Sequence, residues 1–302
     1  MPQPFQQCHA ATVPIKTNVY GDGPTRVGVR QITDQIYWIC HCVGKDAEHY
    51  NGGFATEFGK VNPALDPTAN DIIYSSYLFL DDKSFLIDTL GPWQHKTVLQ
   101  ALSDLLDGRP LDYLWISHTE LPHAANTAAI RRAHPNVEIL TVGGHDHYEV
   151  HGLGDARLLN FGDRVNLGQH EIEIIEPLFL DHALTQWIYE HKTGFLCPVD
   201  WALNVHNEHQ CFRFMDEMEK VGYSSEQFKQ EVSTTNRVVF SWLRWADPDD
   251  VVAAIDHFYE TYDIRIFAPS HTNVIRKDLP EYLGALREAM RLAITGDFNL
   301  VY

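Results

Sequence analysis

Ser117-His118-Thr119-Glu120-Leu121-Pro122-His123 follows the strand-like run Tyr113-Leu114-Trp115-Ile116. Ligand and catalytic groups collect just beyond strand ends, on loops held by a rigid sheet. His118, Glu120 and His123 here fall within one turn-sized loop. Pro122 argues against a continuous helix, because the ring removes a donor and restricts the residue before it. The segment is therefore not the helical H-E-x-x-H of zinc proteases.

Taken alone, H-x-E-x-x-H is a weak signal, and a surface loop with ordinary polar residues is the commoner reading. Three further elements change the balance. His182 follows Phe179-Leu180-Asp181, ahead of a hairpin. Asp200 ends the apolar run Gly194-Phe195-Leu196-Cys197-Pro198-Val199. His271 ends Ile266-Phe267-Ala268-Pro269-Ser270. If these strands share one sheet edge, their ends converge on one point.

Outward from these motifs, two stretches look alike, each running from strands to helices. In the first, Ile36 to Ile39 reads as a strand, and Ile72 to Leu80 with Ser84 to Asp88 as a hairpin turning at Asp81-Asp82-Lys83. Thr97 to Leu106 and Asn126 to Ala133 have helical spacing. In the second, Val137 to Val142 reads as a strand. Val165 to Leu167 with Glu171 to Ile175 forms one hairpin, and Trp187 to Tyr189 with Phe195 to Val199 another. Helices are expected over Gln210 to Met218, Ser225 to Glu231, Val238 to Trp245, Asp249 to Tyr262 and Leu279 to Ile294, with a strand at Arg265 to Ala268. Two strand-rich layers with helices outside are the expected α+β architecture.

Composition narrows the function classes. With 302 residues and 44% hydrophobic content the chain can bury a substantial core, and its net charge of -18 disfavours nucleic acid and anionic membranes. No apolar run approaches the roughly 20 residues of a membrane span, and Met1 to Ala11 does not read as a signal peptide. Five scattered cysteines, an odd count, argue against a disulfide framework and for a reducing, cytoplasmic compartment. Cys40-His41-Cys42 closes the run Ile36 to Ile39. Because alternate strand residues face opposite ways, it reads as strand rather than as a metal or redox motif. The seventeen histidines make metal binding the first possibility to test.

The order strand-His-x-Glu-x-x-His, then His, then strand-Asp, then strand-Pro-Ser-His resembles the metallo-β-lactamase superfamily. The glutamate in the motif is similar to the flavodiiron branch, whose pattern is H-x-E-x-D-H. Ile36-Tyr37-Trp38 followed by His49-Tyr50-Asn51-Gly52-Gly53, and Leu86-Ile87-Asp88-Thr89, look like that family's opening strand, glycine turn and hairpin. The resemblance covers nearly the whole chain. It implies an αββα sandwich in a single domain over residues 31–302, after an N-terminal extension of residues 1–30. It also implies that His118, Glu120 and His182 hold a first metal, that Asp200 bridges two metals, and that His271 holds the second. His123 matches a histidine that ligates in some family members and swings away in others.

Pro122 stands where the family has aspartate, so the second site loses a carboxylate. His123 could replace it, Asp181, His145 or His147 could reach in, or the second metal could bind weakly. A dinuclear site using His123 is the expectation, with Asp200 and His123 as the catalytic groups. Mixed histidine and carboxylate donors suit iron or manganese better than an all-histidine set, so two irons are expected, with manganese or zinc as substitutes.

The implied activity is binding or activation of O2 or NO, by an oxidoreductase or in oxidation of a small organic substrate. A metal-dependent hydrolase of an ester, thioester or phosphoester is the alternative, and a gas sensor without turnover is another. No flavin-cradling loop is read in the sequence, so electrons are expected from an external donor protein or from the substrate. Family analogy suggests a homodimer. Tyr77, Trp93, Trp187, Trp201 and Trp242 could line a pocket, although core packing is the commoner use of such residues. His206 and His209 could orient ligands or lie on a helix surface. His145 and His147 follow Gly143-Gly144 in what reads as a solvated turn.

Overall fold

The computed structural model describes residues 18–43, 71–142, 152–182, 184–206 and 210–296. Packing groups the chain into two compact units. One comprises Lys16–His41 and Tyr74–Val199; the other draws its described residues from Cys42–Ile73 and Asp200–Tyr302. Because each is assembled from discontinuous segments, no linker marks a boundary between them.

The first unit contains a large mixed sheet. Its strands are β1 (Asn18–Tyr20), β2 (Val27–Gln31), β3 (Ile36–Val43), β4 (Asp71–Leu80) and β5 (Ser84–Ile87). Helix α1 (His95–Leu106) then precedes β6 (Tyr113–Trp115). Two short helices, α2 (Leu121–Ala124) and α3 (Thr127–Ala133), lead to β7 (Glu138–Val142) and β8 (Arg157–Leu159). The sheet order is β1-β2-β3-β4-β5-β6-β7-β8. It thus takes in Asn18 to Gln31, where the sequence suggested an extension. β4 and β5 form the expected antiparallel hairpin, but β5, β6, β7 and β8 run parallel. Parallel strands place their carboxyl ends along one edge, which is where ligand-binding loops gather.

A second sheet in this unit is an antiparallel meander of β9 (Arg164–Asn166), β10 (Glu171–Ile175), β11 (Trp187–Glu190) and β12 (Phe195–Cys197). The two sheets face one another through aromatic rings. Phe79 on β4 meets Phe195 at 5.2 Å and His170 at 5.7 Å, both edge-on. Tyr77 meets Phe195 at 5.3 Å. Asp81, in the β4–β5 turn, accepts hydrogen bonds from the backbone of Gln169 and His170 and so ties the two hairpins together. Helix α1 buries Val98, Ala101, Leu102 and Leu106, a spacing of three and four that gives one apolar face. It ends on Asp107 in the left-handed conformation.

In the second unit, β13 (Val205–His206) pairs antiparallel with the first residues of β4. A short turn of helix, α4 (Met215–Met218), leads to α5 (Ser225–Val239) and α6 (Pro248–Thr261). Strand β14 (Ile266–Phe267) and α7 (Leu279–Thr295) complete it. The Ser224 hydroxyl caps α5 by accepting from Gln227, and the Asp247 carboxylate caps α6 by accepting from Asp249 and Asp250, with Pro248 in the first turn. Helices α5 and α7 pack along each other, with Phe228 and Tyr282 in edge contact at 5.4 Å. No helix among the described residues is long and apolar enough to cross a membrane.

Phe79 is fully buried among Phe85, His170 and Phe195. Phe79→Ala is expected to lower unfolding free energy by about 3–5 kcal/mol, through lost transfer energy and the cavity left behind. Urea denaturation followed by fluorescence measures this. A loss below about 1 kcal/mol would mean that the two sheets are not joined at this point.

Candidate metal centre

Asp88 sits one residue beyond β5, and Ser117 and His118 two and three residues beyond β6. The parallel register aligns Ile87 with Trp115, so these polar residues emerge side by side. Asp88 and Leu90 adopt left-handed backbone angles, φ 56° and 59°, which turn the chain sharply off the strand. Asn126 holds this turn by donating to the carbonyls of Thr89, Leu90 and Gly91. The Thr89 hydroxyl in turn donates to the carbonyl of His123.

The Asp88 carboxylate has no exposed surface. It accepts from the Ser117 backbone at 2.8 Å and from the Ser117 hydroxyl at 2.9 Å. It also lies 2.7 Å from His123 Nδ1. A carboxylate can only accept here, so His123 carries its proton on Nδ1. The Ser117 hydroxyl spends its one proton on Asp88. Its oxygen, 3.2 Å from His118 Nδ1, therefore accepts from that ring. Both imidazoles are thus held with Nδ1 protonated and Nε2 as the electron-pair donor. This carboxylate–histidine arrangement is the one that orients imidazoles toward a metal.

His118, Glu120 and His123 each offer a ligand atom, all within 4.8 Å of one another. The His118 and His123 rings lie 4.1 Å apart, and His182 stacks on His118 at 5.6 Å. The two motif histidines are buried, whereas the Glu120 side chain is 55% exposed and 3.9 Å from His118 Nε2. Four of the six expected ligands therefore gather in the first unit. Glu120 is the N-cap of α2, and Pro122 lies in the first helical turn, where its missing N–H breaks no bond. The segment read as a loop from its proline is thus a short turn of helix after a bend over Ser117 to Glu120.

The other two expected ligands lie together in the second unit. His271 Nε2 is 2.9 Å from Asp200 Oδ1, and His271 Nδ1 is 3.0 Å from the Ile73 carbonyl. A carbonyl accepts only, so Nδ1 carries a proton. Nε2 therefore faces the carboxylate oxygen. Two acceptors at this distance attract only with a proton or a metal cation between them. The left-handed Val199 and Ala202, φ 50° and 70°, flank Asp200 and shape its tight turn. His118, His123 and His271 thus bring oriented imidazole nitrogens beside carboxylate oxygens, a donor chemistry that fits a divalent cation, while His182 accepts from the Leu184 backbone N–H at Nδ1.

Tyr77, Trp187 and Trp201 are fully buried in the core, while Trp93 and Trp242 are 48% and 37% exposed. His206 is not on a helix surface. It lies in β13 with no exposure, and burial pushes its imidazole down to about 3. His145, His147, His209 and the segment His49 to Gly53 lie outside the described residues. Sequence reading singled out Asp88 only as the end of a hairpin strand. It closes an apolar run just as Asp200 does, and that shared position was the signal for its role.

The sequence profile of the metallo-beta-lactamase superfamily matches residues 70–223. A nitric oxide reductase from Moorella thermoacetica is 27% identical over 252 residues, covering 82% of this chain and 57% of that protein. Among solved structures, a flavo di-iron protein from Thermotoga maritima superposes with a TM-score of 0.67 at 18% identity, over 87% of this chain and 61% of the other. Rubredoxin oxygen:oxidoreductase from Desulfovibrio gigas superposes with a TM-score of 0.66 at 16% identity, over 88% and 61%. The expected fold is therefore the observed one, and the chain spans about three fifths of the length of these relatives.

Asp88→Asn keeps the shape but removes an acceptor that fixes two imidazoles. Iron affinity, measured by competition with a chelator, is expected to fall about 10–100-fold with the circular dichroism spectrum unchanged. Unaltered affinity would show that Asp88 does not set the ligand tautomers.

Proposed function

Because this chain belongs to the metallo-β-lactamase superfamily, we propose that His118, Glu120, His123, His182, Asp200 and His271 hold a non-haem di-iron centre that binds or activates O2 or NO. The observation that carries this reading is the Asp88 network, which holds His118 and His123 with both Nε2 atoms as donors beside a carboxylate. A histidine pair alone would suit zinc. The carboxylate of Glu120 adds a hard, anionic oxygen that suits iron or manganese better. The names of the relatives point the same way, one a nitric oxide reductase and another an oxygen oxidoreductase.

The bound iron pair would supply reducing electrons to the gas. The protein's part is binding and orientation. Asp200, buried and facing His271 Nε2, is the carboxylate proposed to bridge the two ions. His271 is kept in the ligating tautomer by the Ile73 carbonyl. His123 takes the place of the carboxylate that Pro122 cannot provide. Glu120, the exposed member of the set, approaches His118 Nε2 to 3.9 Å and would supply the anionic oxygen. Manganese and zinc are the substitutes expected for iron. An external electron-donor protein, or the bound substrate itself, would restore the reduced state. A homodimer and a cytoplasmic location complete the proposal.

Protein grown in iron-supplemented medium should contain about two irons per chain and develop a new visible absorption band on exposure to NO or O2. A colourless protein holding zinc and cleaving esters would overturn this reading in favour of a hydrolase. Glu120→His should move metal preference from iron toward zinc, as read by competitive loading from an equimolar mixture. An unchanged iron-to-zinc ratio would remove Glu120 as the residue that sets metal choice.

A further inference from the structure

A second group of ligand-type side chains lies within the second unit and uses none of the six residues assigned above. Cys42 stands near the end of β3. His206 lies in β13, paired in register with Asp71 at the start of β4. Cys211 follows five residues after His206. Cys42, His206 and Cys211 are 7%, 0% and 5% exposed, and their ligand atoms all lie within 4.8 Å of one another. The Cys211 sulfur is 3.7 Å from His206 Nε2 and 3.6 Å from Asp71 Oδ2.

These distances have a simple interpretation. Zinc bonds thiolate sulfur at about 2.3 Å and imidazole nitrogen or carboxylate oxygen at about 2.0–2.2 Å, in a tetrahedron. The edge between a sulfur and a nitrogen or oxygen of such a tetrahedron is roughly 3.6 Å by the same bond lengths. The two printed edges from Cys211 match it. The remaining spacings among Cys42, His206 and Cys211 are at most 4.8 Å, so the three close on one ion by small side-chain shifts, and Asp71 approaches from the Cys211 side. As a hydrogen-bonded cluster the group is poor, because thiols are weak donors and weak acceptors for a buried imidazole.

We propose that Cys42, His206 and Cys211, with the Asp71 carboxylate as fourth donor, form a structural zinc site. Binding would deprotonate both thiols and release their protons to solvent, giving two thiolate–zinc bonds. Four protein donors leave no open position, so the site would be structural and not catalytic. It would clamp the end of β3, the start of β4, β13 and the chain that follows, segments far apart in sequence. Soft thiolates select zinc over iron, so one chain would sort two metals by donor type. The isolated sequence hid this site. Read as a strand, Cys40-His41-Cys42 gives no sign of it. His41 faces away from Cys42 and contacts the Arg26 carbonyl, and the Cys40 sulfhydryl donates to the Gly28 carbonyl, while Cys42 meets partners from distant segments.

The test is titration of the full, reduced chain with cobalt(II). The expected result is a near-ultraviolet thiolate-to-cobalt charge-transfer band, with the intense visible bands of tetrahedral cobalt, saturating at about one equivalent. The six donors of the proposed di-iron centre include no sulfur, so this band reports on the cysteine cluster alone. It should persist in Glu120→His and vanish in Cys42→Ser and Cys211→Ser, with zinc content falling by about one ion per chain. A wild-type spectrum without the thiolate band overturns the proposal and needs no variant to fold. So does mass mapping that finds Cys42 joined to Cys211 as a disulfide in the purified protein. Either result leaves the di-iron reading untouched, and loss of the gas-dependent band leaves this one untouched.

Discussion

The Asp88 carboxylate, buried without exposed surface, accepts hydrogen bonds from the Ser117 backbone, the Ser117 hydroxyl and His123 Nδ1. A buried anion is tolerated only when its lone pairs are filled, and hydrogen bonds to charged groups are each worth about 1.5–3 kcal/mol. The parallel register and the left-handed turn both meet that condition. Parallel pairing of β5 with β6 brings Asp88 to Ser117, and the turn at Asp88 and Leu90 aims the carboxylate inward. Asn126 clamps the turn from the other side. The histidines proposed as ligands are then oriented by this hydrogen-bond network.

Most of this fold was legible in the sequence, for reasons that differ between elements. The β4–β5 hairpin is marked by two alternating apolar runs around Asp81-Asp82-Lys83, and α6 by a proline and acidic first turn. The helix expected over Gln210 to Met218 is confined to Met215–Met218. There Phe212 takes φ 57°, a left-handed angle that no periodicity reports and that ends a helix before it starts. The helix expected from Val238 to Trp245 breaks at Phe240, where α5 ends and a tighter turn over Ser241–Trp245 follows. β8 is short and half exposed, so no pattern betrayed it. Helix and strand type were readable wherever an element buries one face over several turns. Short connecting pieces were not, because tertiary contacts decide them.

The candidate site was legible in part. Polar residues that close apolar runs mark His118, Asp200 and His271 as candidates, and the folded chain places His118 with Glu120, His123 and His182, and Asp200 with His271. The positions of Asp88, Ser117 and Asn126 depend on which strands are parallel neighbours, and that information is absent from one chain read linearly. The same is true of the cysteine cluster. His206 and Cys211 are close in sequence, but Cys42 and Asp71 come to them only through the pairing of β13 with β4.

At Pro122, where the resemblance read in the sequence led to the expectation of a carboxylate ligand, the structure shows a gained constraint. Aspartate at this position would bring an oxygen donor on a side chain with two rotatable bonds. Proline brings none, but its ring fixes φ near −65°, an angle already helical. Set in the first turn of α2, it pre-shapes the four residues that carry His123 toward Asp88. The backbone of His123 and Ala124 closes that turn onto the Glu120 carbonyl. The chain therefore spends less conformational entropy in presenting His123 than a freely turning loop would. The departure at Pro122 removes a carboxylate from the expected donor set, and in the same step it stiffens the presentation of the histidine proposed to stand in for it.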